Sequence, residues 1–356
     1  MPNLGGGGAE RVISILLNNL DRKLFKPKLI IIKKEGVNVY IDDLKEDIEI
    51  VNLGIKHGLK FSTLTFLSKL LVYIKKDTPD ILFMGAGTIN AFISPFLFLF
   101  PKGIKKIARE SNLPSLFERF KIIKYFYKKF YNNYDAIIAQ SDDMVNELVT
   151  NFNVDKNKIK KINNPVDSNY IFNKLKESDD FKLDDNKVNL LAAGRLTYQK
   201  GFDLLINEFS KITNNNYFLI ILGDGEDKEI LKKQVKKLEL EDKIKFLGNV
   251  KNPYIYMQKA DLFILSSRFE GFPNVLLESL ICGCPILAND CPGGIREIVE
   301  EGINGYIYSY NEQNFKSKLE KIKNMDFDNK IIRQNALKKY GIESIIPVYS
   351  KLLLEI

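Results

Sequence analysis

The chain has 356 residues, of which 45% are hydrophobic and 28% charged, and its formal net charge is +8. This length exceeds what one hydrophobic core comfortably holds, so we expect two domains, and the composition excludes disordered and fibrous classes. The positive surplus is N-terminal, because residues 1–165 hold 26 Lys and Arg against 17 Asp and Glu. Such a basic surface attracts nucleic acid, anionic lipid or phosphorylated substrates.

The chain opens with four residues, Met1–Leu4, followed by the glycine run Gly5–Gly8. In a doubly wound domain a glycine loop follows the first, central strand, which needs about 5–6 residues. Met1–Leu4 cannot supply that strand. We therefore expect it to be missing from the N-terminal sheet, with translation starting upstream or with a truncated, poorly stable form. The start resembles no signal peptide, which favours the cytoplasm.

Short β-branched runs alternate with amphipathic stretches along both halves, which predicts an α/β fold with mainly parallel sheets. The runs in the first half are Lys28–Ile32, Ile48–Val51, Ile81–Met84, Lys106–Ala108 and Ala136–Gln140. Those in the second half are Asn189–Ala193, Tyr217–Leu222, Lys243–Leu247, Leu262–Ser266 and Pro285–Ala288. From residue 311 onward the pattern is helical.

These patterns divide the chain into two doubly wound domains. The segment Lys161–Asp167 is interpreted as a strand that ends at a turn, since the residue before proline avoids the helical region. The polar stretch Lys174–Asn186 is the best linker candidate. We place the first domain at 1–168, the linker at 169–187 and the second domain at 188–330. Residues 331–356 are predicted to form a long helix that packs back on the first domain.

A basic, aromatic stretch, Phe117–Tyr131, lies in the first domain. At helical spacing its apolar residues form a core face and its lysines a solvated face. The alternative is an interfacial helix that holds the chain peripherally on the inner face of an anionic membrane. No transmembrane helix is expected, because the longest apolar run, Ile89–Phe100, is too short for the ~20 residues that a span requires.

Metal binding is not expected. The three cysteines, Cys282, Cys284 and Cys291, lie in one segment without a fourth ligand nearby, and small buried core residues are the simpler interpretation. The one histidine, His57, is interpreted as structural or surface. The Asp-x-Asp at Asp326 and Asp328 is interpreted as surface charge.

The most informative stretch runs from Ser266 to Glu278, where an apolar strand is followed by a Gly/Pro loop and a helix that Asn274 can cap. This places a helix N-terminus at the carboxyl edge of a parallel sheet, where open α/β folds bind ligands. We expect the backbone amides of Asn274, Val275 and Leu276 to face a phosphate. Glu270 and Glu278 can then both bind hydroxyl groups of the ligand, although solvated glutamates at a capped helix are an equally good interpretation.

Two further turns follow strands in the second domain. Arg195 and Lys200 lie in the turn Ala193–Gly201, where two cations would neutralise a diphosphate, although solvated surface cations are the alternative. Gly223 and Gly225 end the next strand in a turn that lets a base and ribose approach the backbone.

With these residues the whole chain resembles the family 4 retaining glycosyltransferases, also called glycosyl transferases group 1, of the GT-B fold, in which two Rossmann-like domains face a cleft. The motifs that carry the resemblance are Gly5–Arg11, Asn164–Asp167, Gly194–Leu196, Lys200–Gly201, Gly223–Gly225, Glu270–Glu278, Gly293–Glu297 and Gly302–Gly305.

The resemblance implies a sugar transfer from a UDP-sugar, of hexose or N-acetylhexosamine type, to a glycan or lipid-linked acceptor in surface polysaccharide, lipopolysaccharide or oligosaccharide biosynthesis. It implies that Arg195 and Lys200 bind the donor diphosphate, Glu278 the ribose and Glu270 the transferred sugar. It also places Gly7 and Gly8, in the glycine loop, near that diphosphate. No cofactor and no metal are expected, since cations and helix amides stabilise the leaving group.

One motif departs from the family pattern. Many relatives carry a histidine that faces the sugar from the N-terminal domain, whereas the comparable stretch here is Ile107–Asn112. We expect Glu110 or Asn112 to contact the sugar or the acceptor instead.

Two other functions remain open at this point. One is a sugar-nucleotide epimerase or a phosphorylase of the same fold, although an epimerase would need more acid and base groups and a phosphorylase a far longer chain with a cofactor-binding lysine. The other is a basic nucleic-acid-binding module, which we do not favour because no recognition motif is present.

Overall fold

The computed structural model describes residues 1–32, 39–55, 59–177, 183–184, 186–214 and 216–356, without the side chains of residues 59–64. The chain divides into two compact units, a first unit made of Met1–Pro165 with Ile342–Ile356, and a second unit made of Val166–Gly341. No helix among the described residues is both long enough and apolar enough to cross a membrane.

The first unit contains two parallel sheets. Its strands are β1 (Lys28–Ile31), β2 (Glu49–Asn52), β3 (Ile81–Met84), β4 (Lys105–Arg109), β5 (Ala136–Ala139) and β6 (Ile159–Lys161). β1 pairs with β2, and β3 to β6 form a four-stranded sheet in chain order. Alternate residues of β4 and β5 enter two different hydrophobic clusters, so this sheet is covered on both faces, as a doubly wound domain requires.

The helices of the first unit are α1 (Gly8–Asn19), α2 (Leu59–Asp77), α3 (Gly87–Ile93), α4 (Pro114–Phe117), α5 (Lys121–Phe130), α6 (Asp142–Phe152) and α15 (Ile342–Glu355). All of these helices except α4 contribute residues to those two hydrophobic clusters. α1 and α15 share the cluster that contains Ile107 and Ile138. The C-terminal helix α15 is therefore part of the core of the first unit.

Met1–Leu4 lie beside β1 without forming a strand. The amino group of Met1 donates to the carbonyl oxygen of Ile30 at 2.8 Å, and the amide of Ile32 donates back to the carbonyl oxygen of Met1 at 3.0 Å. Leu4 is fully buried. These contacts supply backbone partners for one side of β1, while the four-stranded sheet remains separate from the β1–β2 pair.

The second unit contains one six-stranded parallel sheet. Its strands are β7 (Val188–Ala193), β8 (Tyr217–Leu222), β9 (Ile244–Gly248), β10 (Leu262–Leu265), β11 (Ile286–Asn289) and β12 (Gly305–Tyr308). They are ordered β12-β11-β10-β7-β8-β9. Alternate residues of β7, such as Leu190 and Leu191, enter different clusters, so both faces are buried. The second unit is a doubly wound domain whose strand order reverses between β7 and β10.

The helices of the second unit cover both faces of this sheet. Their bounds are α7 (Ser168–Lys174), α8 (Phe202–Ser210), α9 (Lys228–Lys237), α10 (Pro253–Lys259), α11 (Asn274–Cys282), α12 (Ile295–Ile298), α13 (Phe315–Lys323) and α14 (Asn329–Tyr340). Asp328 caps α14 by accepting hydrogen bonds from the amides of Lys330 and Ile331. Asp328 therefore stabilises a helix terminus, which gives it a more specific role than surface charge.

The predicted α/β fold is confirmed, and each predicted strand overlaps an observed one. β12 was not among the predicted strands: it lies just before the region of helical pattern and contains only four residues, Gly305–Tyr308. The predicted linker 169–187 requires a correction, since α7 packs against α10 and α11 within the second unit. Residues 178–182 and 185 of that linker lie outside the described part.

The predicted helix over 331–356 is two helices that belong to different units. α14 ends at Tyr340 because Gly341 adopts an extended conformation, with a ψ of 155°. α14 packs on α11, and the Arg333 guanidinium donates to the carbonyl oxygens of Ile281 and Cys282 at the end of α11. These bonds satisfy carbonyl groups that a helix terminus leaves unpaired, so α14 is fixed in the second unit.

Candidate functional site

The candidate site lies where the strand order of the second unit reverses. β7 and β10 are neighbours, and the next strands along the chain lie on opposite sides of them. The segments that leave their carboxyl ends, residues 194–201 and 266–273, therefore start side by side. In open α/β sheets this is the position at which ligands bind.

Hydrogen bonds to backbone carbonyl oxygens hold these two segments together. The Ser266 hydroxyl donates to the carbonyl oxygen of Lys200 at 2.8 Å, and the amide of Arg268 donates to the carbonyl oxygen of Gln199 at 2.8 Å. Gly201 has a φ of 63°, and a Cβ atom there would lie 2.2 Å from the carbonyl oxygen of Ser266. A side chain at residue 201 would therefore force the segments apart.

Lys200 and Glu270 form an ion pair between the two segments. The Lys200 Nζ lies 2.6 Å from the Glu270 Oε1, and the Ser267 hydroxyl donates to the same oxygen at 2.6 Å. Glu270 is only 5% exposed. Among the described residues the second oxygen, Oε2, receives no hydrogen bond. The pair thus combines a fixed carboxylate with an oxygen that can still accept hydrogen bonds from a ligand.

The backbone of Glu270 is fixed by a third segment, which follows β11. Its amide donates to the carbonyl oxygen of Pro292 at 2.9 Å. Asn289, at the end of β11, donates from its side chain to the carbonyl oxygen of Ser267 at 2.9 Å. Gly293 has a φ of 130°, and a Cβ atom there would lie 2.5 Å from the carbonyl oxygen of Glu270. These contacts preorganise the carboxylate before a ligand arrives.

The start of α11 differs from the prediction in two respects. Asn274 is the first helical residue, and Pro273 holds the cap position without a side-chain cap. The amide of Leu276 donates to the carbonyl oxygen of Pro273 at 3.1 Å. Of the three amides predicted to face a phosphate, that of Leu276 is therefore already used within the helix. The amides of Asn274 and Val275 stay candidates for that role.

The other predicted donor-binding residues lie around the same edge. Arg195 is exposed, and its guanidinium forms no ion pair within the described part of the chain. Glu278 is half-buried in α11. A Cβ atom at Gly223 would lie 2.0 Å from the carbonyl oxygen of Gly194, so packing of the protein against itself already explains the absence of a side chain there. A Cβ atom at Gly225 would likewise lie 2.3 Å from the carbonyl oxygen of Leu196.

Arg268 forms a second ion pair that the sequence did not single out. Its guanidinium donates to both carboxylate oxygens of Asp203, at 2.8 and 2.6 Å, and to the carbonyl oxygen of Tyr198 at 2.7 Å. Burial disfavours the charge of Asp203, but the hydrogen bonds and charge of Arg268 outweigh this effect and lower the pKa of Asp203. The sequence signal that could have indicated this ion pair is the arginine at residue 268, two residues before Glu270.

In the first unit, Glu110 lies at the end of β4 and is 1% exposed. The Tyr127 hydroxyl donates to its Oε2 at 2.9 Å, and the Tyr131 hydroxyl donates to its Oε1. Burial raises the pKa of Glu110 to about 8, although the hydrogen bonds from Tyr127 and Asn90 partly oppose the shift. The expected contact of Glu110 with a sugar therefore requires correction, because its carboxyl group lies inside the core.

The remaining predicted residues of the first unit are more accessible. Asn112 is half-buried shortly after β4. Gly7 precedes α1 and Gly8 is its first residue, so the helix begins within the glycine run. His57 lies outside the described residues.

The cysteines are buried thiols. Burial raises the pKa of Cys284 to about 12, which keeps it protonated. Within the described ranges, no group of three or more His, Cys, Asp or Glu residues is arranged to hold a metal ion. The expectation that the chain needs no metal stays a prediction.

Comparison with known proteins gives consistent family matches. The family model described as Glycosyltransferase Family 4 matches residues 6–170, and that described as Glycosyl transferases group 1 matches residues 173–343. A relative from Campylobacter jejuni, N-acetylgalactosamine-N,N'-diacetylbacillosaminyl-diphospho-undecaprenol 4-alpha-N-acetylgalactosaminyltransferase, is 31% identical over 92% of this chain and 89% of that protein. The lipopolysaccharide 1,6-galactosyltransferase of Escherichia coli is 31% identical over 39% of this chain and 41% of that protein.

Solved structures show the same fold. The lipopolysaccharide outer core galactosyltransferase WaaB, in its apo form, matches with a TM-score of 0.77 and 19% identity over 99% of this chain and 97% of that chain. Anabaena HepE in complex with UDP-glucose also matches with a TM-score of 0.77, at 18% identity over 100% of this chain and 98% of that chain.

The buried carboxyl group of Glu110 predicts a specific pH dependence of stability. Between pH 4.5 and about 8 the folded chain keeps the Glu110 proton while the unfolded chain loses it, so the free energy of unfolding should fall as pH rises. Glu110→Gln should remove this contribution, which amounts to roughly 2–4 kcal/mol over that range. Urea denaturation at pH 5 and pH 8 measures it. Parallel pH curves for the two proteins would contradict the buried, protonated state.

Proposed function

The chain is a glycosyltransferase of family 4 with the GT-B fold, and we propose that it transfers a hexose or N-acetylhexosamine from a UDP-sugar to a glycan or lipid-linked acceptor, with retention of configuration. The observation that carries the proposal is the preorganised Lys200–Glu270 pair at the switch point, shortly before α11 begins. HepE, which shares the fold, is known in complex with UDP-glucose, and this supports a uridine nucleotide donor.

The diphosphate of the donor is bound by cations and backbone amides in this proposal. Arg195 supplies a forked guanidinium, Lys200 a point charge, and Asn274 and Val275 amides at the positive end of α11. Lys200 is already paired with Glu270, so a phosphate oxygen approaches a cation whose position is fixed. These charges stabilise the leaving diphosphate without requiring a metal or a cofactor.

The two glutamates have separate roles. Glu270 uses Oε1 to accept from Lys200 and Ser267, which leaves Oε2 for hydroxyl groups of the transferred sugar. Glu278 lies one helical turn into α11 and binds the ribose hydroxyls. In this arrangement Glu270, which binds the transferred sugar, also fixes Lys200, which binds the leaving diphosphate.

The acceptor belongs to surface glycan or lipid-linked oligosaccharide biosynthesis in our proposal. The relatives from Campylobacter jejuni and Escherichia coli support it, because the first is named for an undecaprenol-linked acceptor and the second for lipopolysaccharide. In the first unit, Asn112 takes the sugar or acceptor contact that the buried Glu110 cannot make.

A segment of the first unit is suited to an anionic membrane on the cytoplasmic side. Within residues 116–125, five large apolar side chains are 42–55% exposed, which a purely structural amphipathic helix does not require; they are Leu116, Phe117, Phe120, Ile122 and Tyr125. Lys121, Lys128 and Lys129 of α5 are exposed near them, whereas Lys124 donates to the carbonyl oxygen of Ser115. Exposed aromatic residues beside lysines are typical of interfacial helices.

Arg195→Ala and Glu278→Ala should each lower kcat/KM for nucleotide-sugar turnover by roughly 10²–10³-fold, because each removes a charged group from the donor site. The folded structure should persist, since neither side chain belongs to the core. The measurement is a turnover screen of each variant with UDP-glucose, UDP-galactose and their N-acetylated forms. Arg22→Ala and Glu241→Ala are matched controls, and wild-type rates in either site variant would refute the assignment.

Replacing Lys121, Lys128 and Lys129 together by Gln should reduce sedimentation with vesicles that contain anionic lipid by more than about tenfold, because each cation near the surface contributes about 1 kcal/mol. The matched control replaces Lys232, Lys233 and Lys236 of α9 by Gln. These lysines are also exposed, and their replacement removes the same total charge. Equal losses from both triple variants would show that net charge alone drives the binding. Unchanged binding in both would reject a membrane role for α5.

A further inference from the structure

The turn that contains Lys200 is bound at both ends by the Arg268 side chain, which belongs to the segment after β10. Arg268 contacts residues on both sides of Lys200: the carbonyl oxygen of Tyr198 before it and the carboxylate of Asp203 after it. Its guanidinium also lies over the ring of Tyr198, 4.1 Å from the centroid. The two ends of the turn are thus held by a single planar group.

The contacts need the shape of arginine as well as its charge. Two parallel N–H groups bind the two oxygens of Asp203, while Nη1 also reaches the carbonyl oxygen of Tyr198. A lysine ammonium can bind one of these partners at a time and cannot stack flat on the ring. The Arg268 side chain is 20% exposed and that of Asp203 42%, so the pair is only partly screened by water.

The same segment holds Glu270. Ser267 precedes Arg268 and donates to the Glu270 carboxylate, and the Gln199 side chain donates to the carbonyl oxygen of Phe269, which follows Arg268. Arg268 therefore lies between Ser267 and Phe269, whose hydrogen bonds fix the segment that carries Glu270. The Arg268 side chain itself fixes the turn that carries Lys200.

We propose that Arg268, through its bidentate pair with Asp203, is a positioning residue that fixes Lys200 against Glu270 for the transfer reaction. This inference rests on the function proposed above. Without the pair, the 198–203 turn keeps Gly201 but loses the side-chain contact that links its two ends. The Lys200 ammonium then spends less time at the point where charge develops on the leaving diphosphate, and a displacement of about 1 Å is enough to slow catalysis about 10²-fold.

Steady-state kinetics of Arg268→Ala, Arg268→Lys, Asp203→Ala and the double variant Arg268→Ala with Asp203→Ala tests the proposal. The two alanine variants should each lower kcat roughly 10- to 100-fold, with a much smaller change in the donor KM and in uridine diphosphate affinity. The double variant should be no slower than the slower single variant, because both substitutions remove one interaction. Arg268→Lys should restore little of the rate.

A matched pair exists in the first unit. The Arg22 guanidinium also donates to both carboxylate oxygens of Asp47, and both side chains are partly exposed. Arg22→Ala and Asp47→Ala should leave kcat unchanged. If the Arg268 and Asp203 variants lose thermal stability but keep the wild-type kcat, the pair is structural only and the proposal is wrong.

A second readout does not depend on sugar transfer. The rate at which acetic anhydride acetylates Lys200, measured by mass spectrometry, should rise several-fold in Arg268→Ala and Asp203→Ala relative to Lys228 in the same protein. An unchanged Lys200 rate would overturn the positioning role even if the chain turned over no nucleotide sugar. A raised rate in a chain without transferase activity would instead uphold the positioning role and reject the proposed function.

Discussion

The candidate site depends on one steric constraint, the close approach of two backbone segments at the switch point of the second sheet. The carbonyl oxygen of Ser266 occupies the space that a side chain at residue 201 would need. Gly223 has the same relation to the carbonyl oxygen of Gly194. Because backbone atoms are in contact on both sides, the spacing of the loops is set by atomic radii rather than by flexible side chains.

The charges of the site are arranged on this rigid support. Burying Glu270 costs solvation free energy, which the Lys200 ammonium and the Ser267 hydroxyl offset. In the first unit the carboxyl group of Glu110 accepts hydrogen bonds from tyrosine hydroxyls, forms no ion pair with any described residue, and holds a proton instead. The presence of a cation partner therefore distinguishes the carboxylate with a candidate catalytic role from the structural one.

Most of the fold was predictable from the sequence, as was the placement of the second-unit candidate residues at one edge of the sheet. The strands were visible because buried parallel strands are rich in β-branched residues, and Lys200 and Glu270 stood in turns directly after such strands. The use of the Leu276 amide within α11 could not be predicted, since it depends on where the first turn begins. The burial of Glu110 was missed because the tyrosines that surround it lie on α5 and beyond, and only the tertiary fold brings them to β4.

The pair between Arg268 and Asp203 was missed for a related reason, because its partners are far apart in the chain and each resembles an ordinary surface charge. The central claim is that a nucleotide sugar binds between the segments after β7 and β10. Hydrogen–deuterium exchange with and without a UDP-sugar that the chain turns over tests this claim most directly. We predict slower exchange in the peptides that cover residues 194–201 and 266–276. Turnover without a change in either peptide would contradict it.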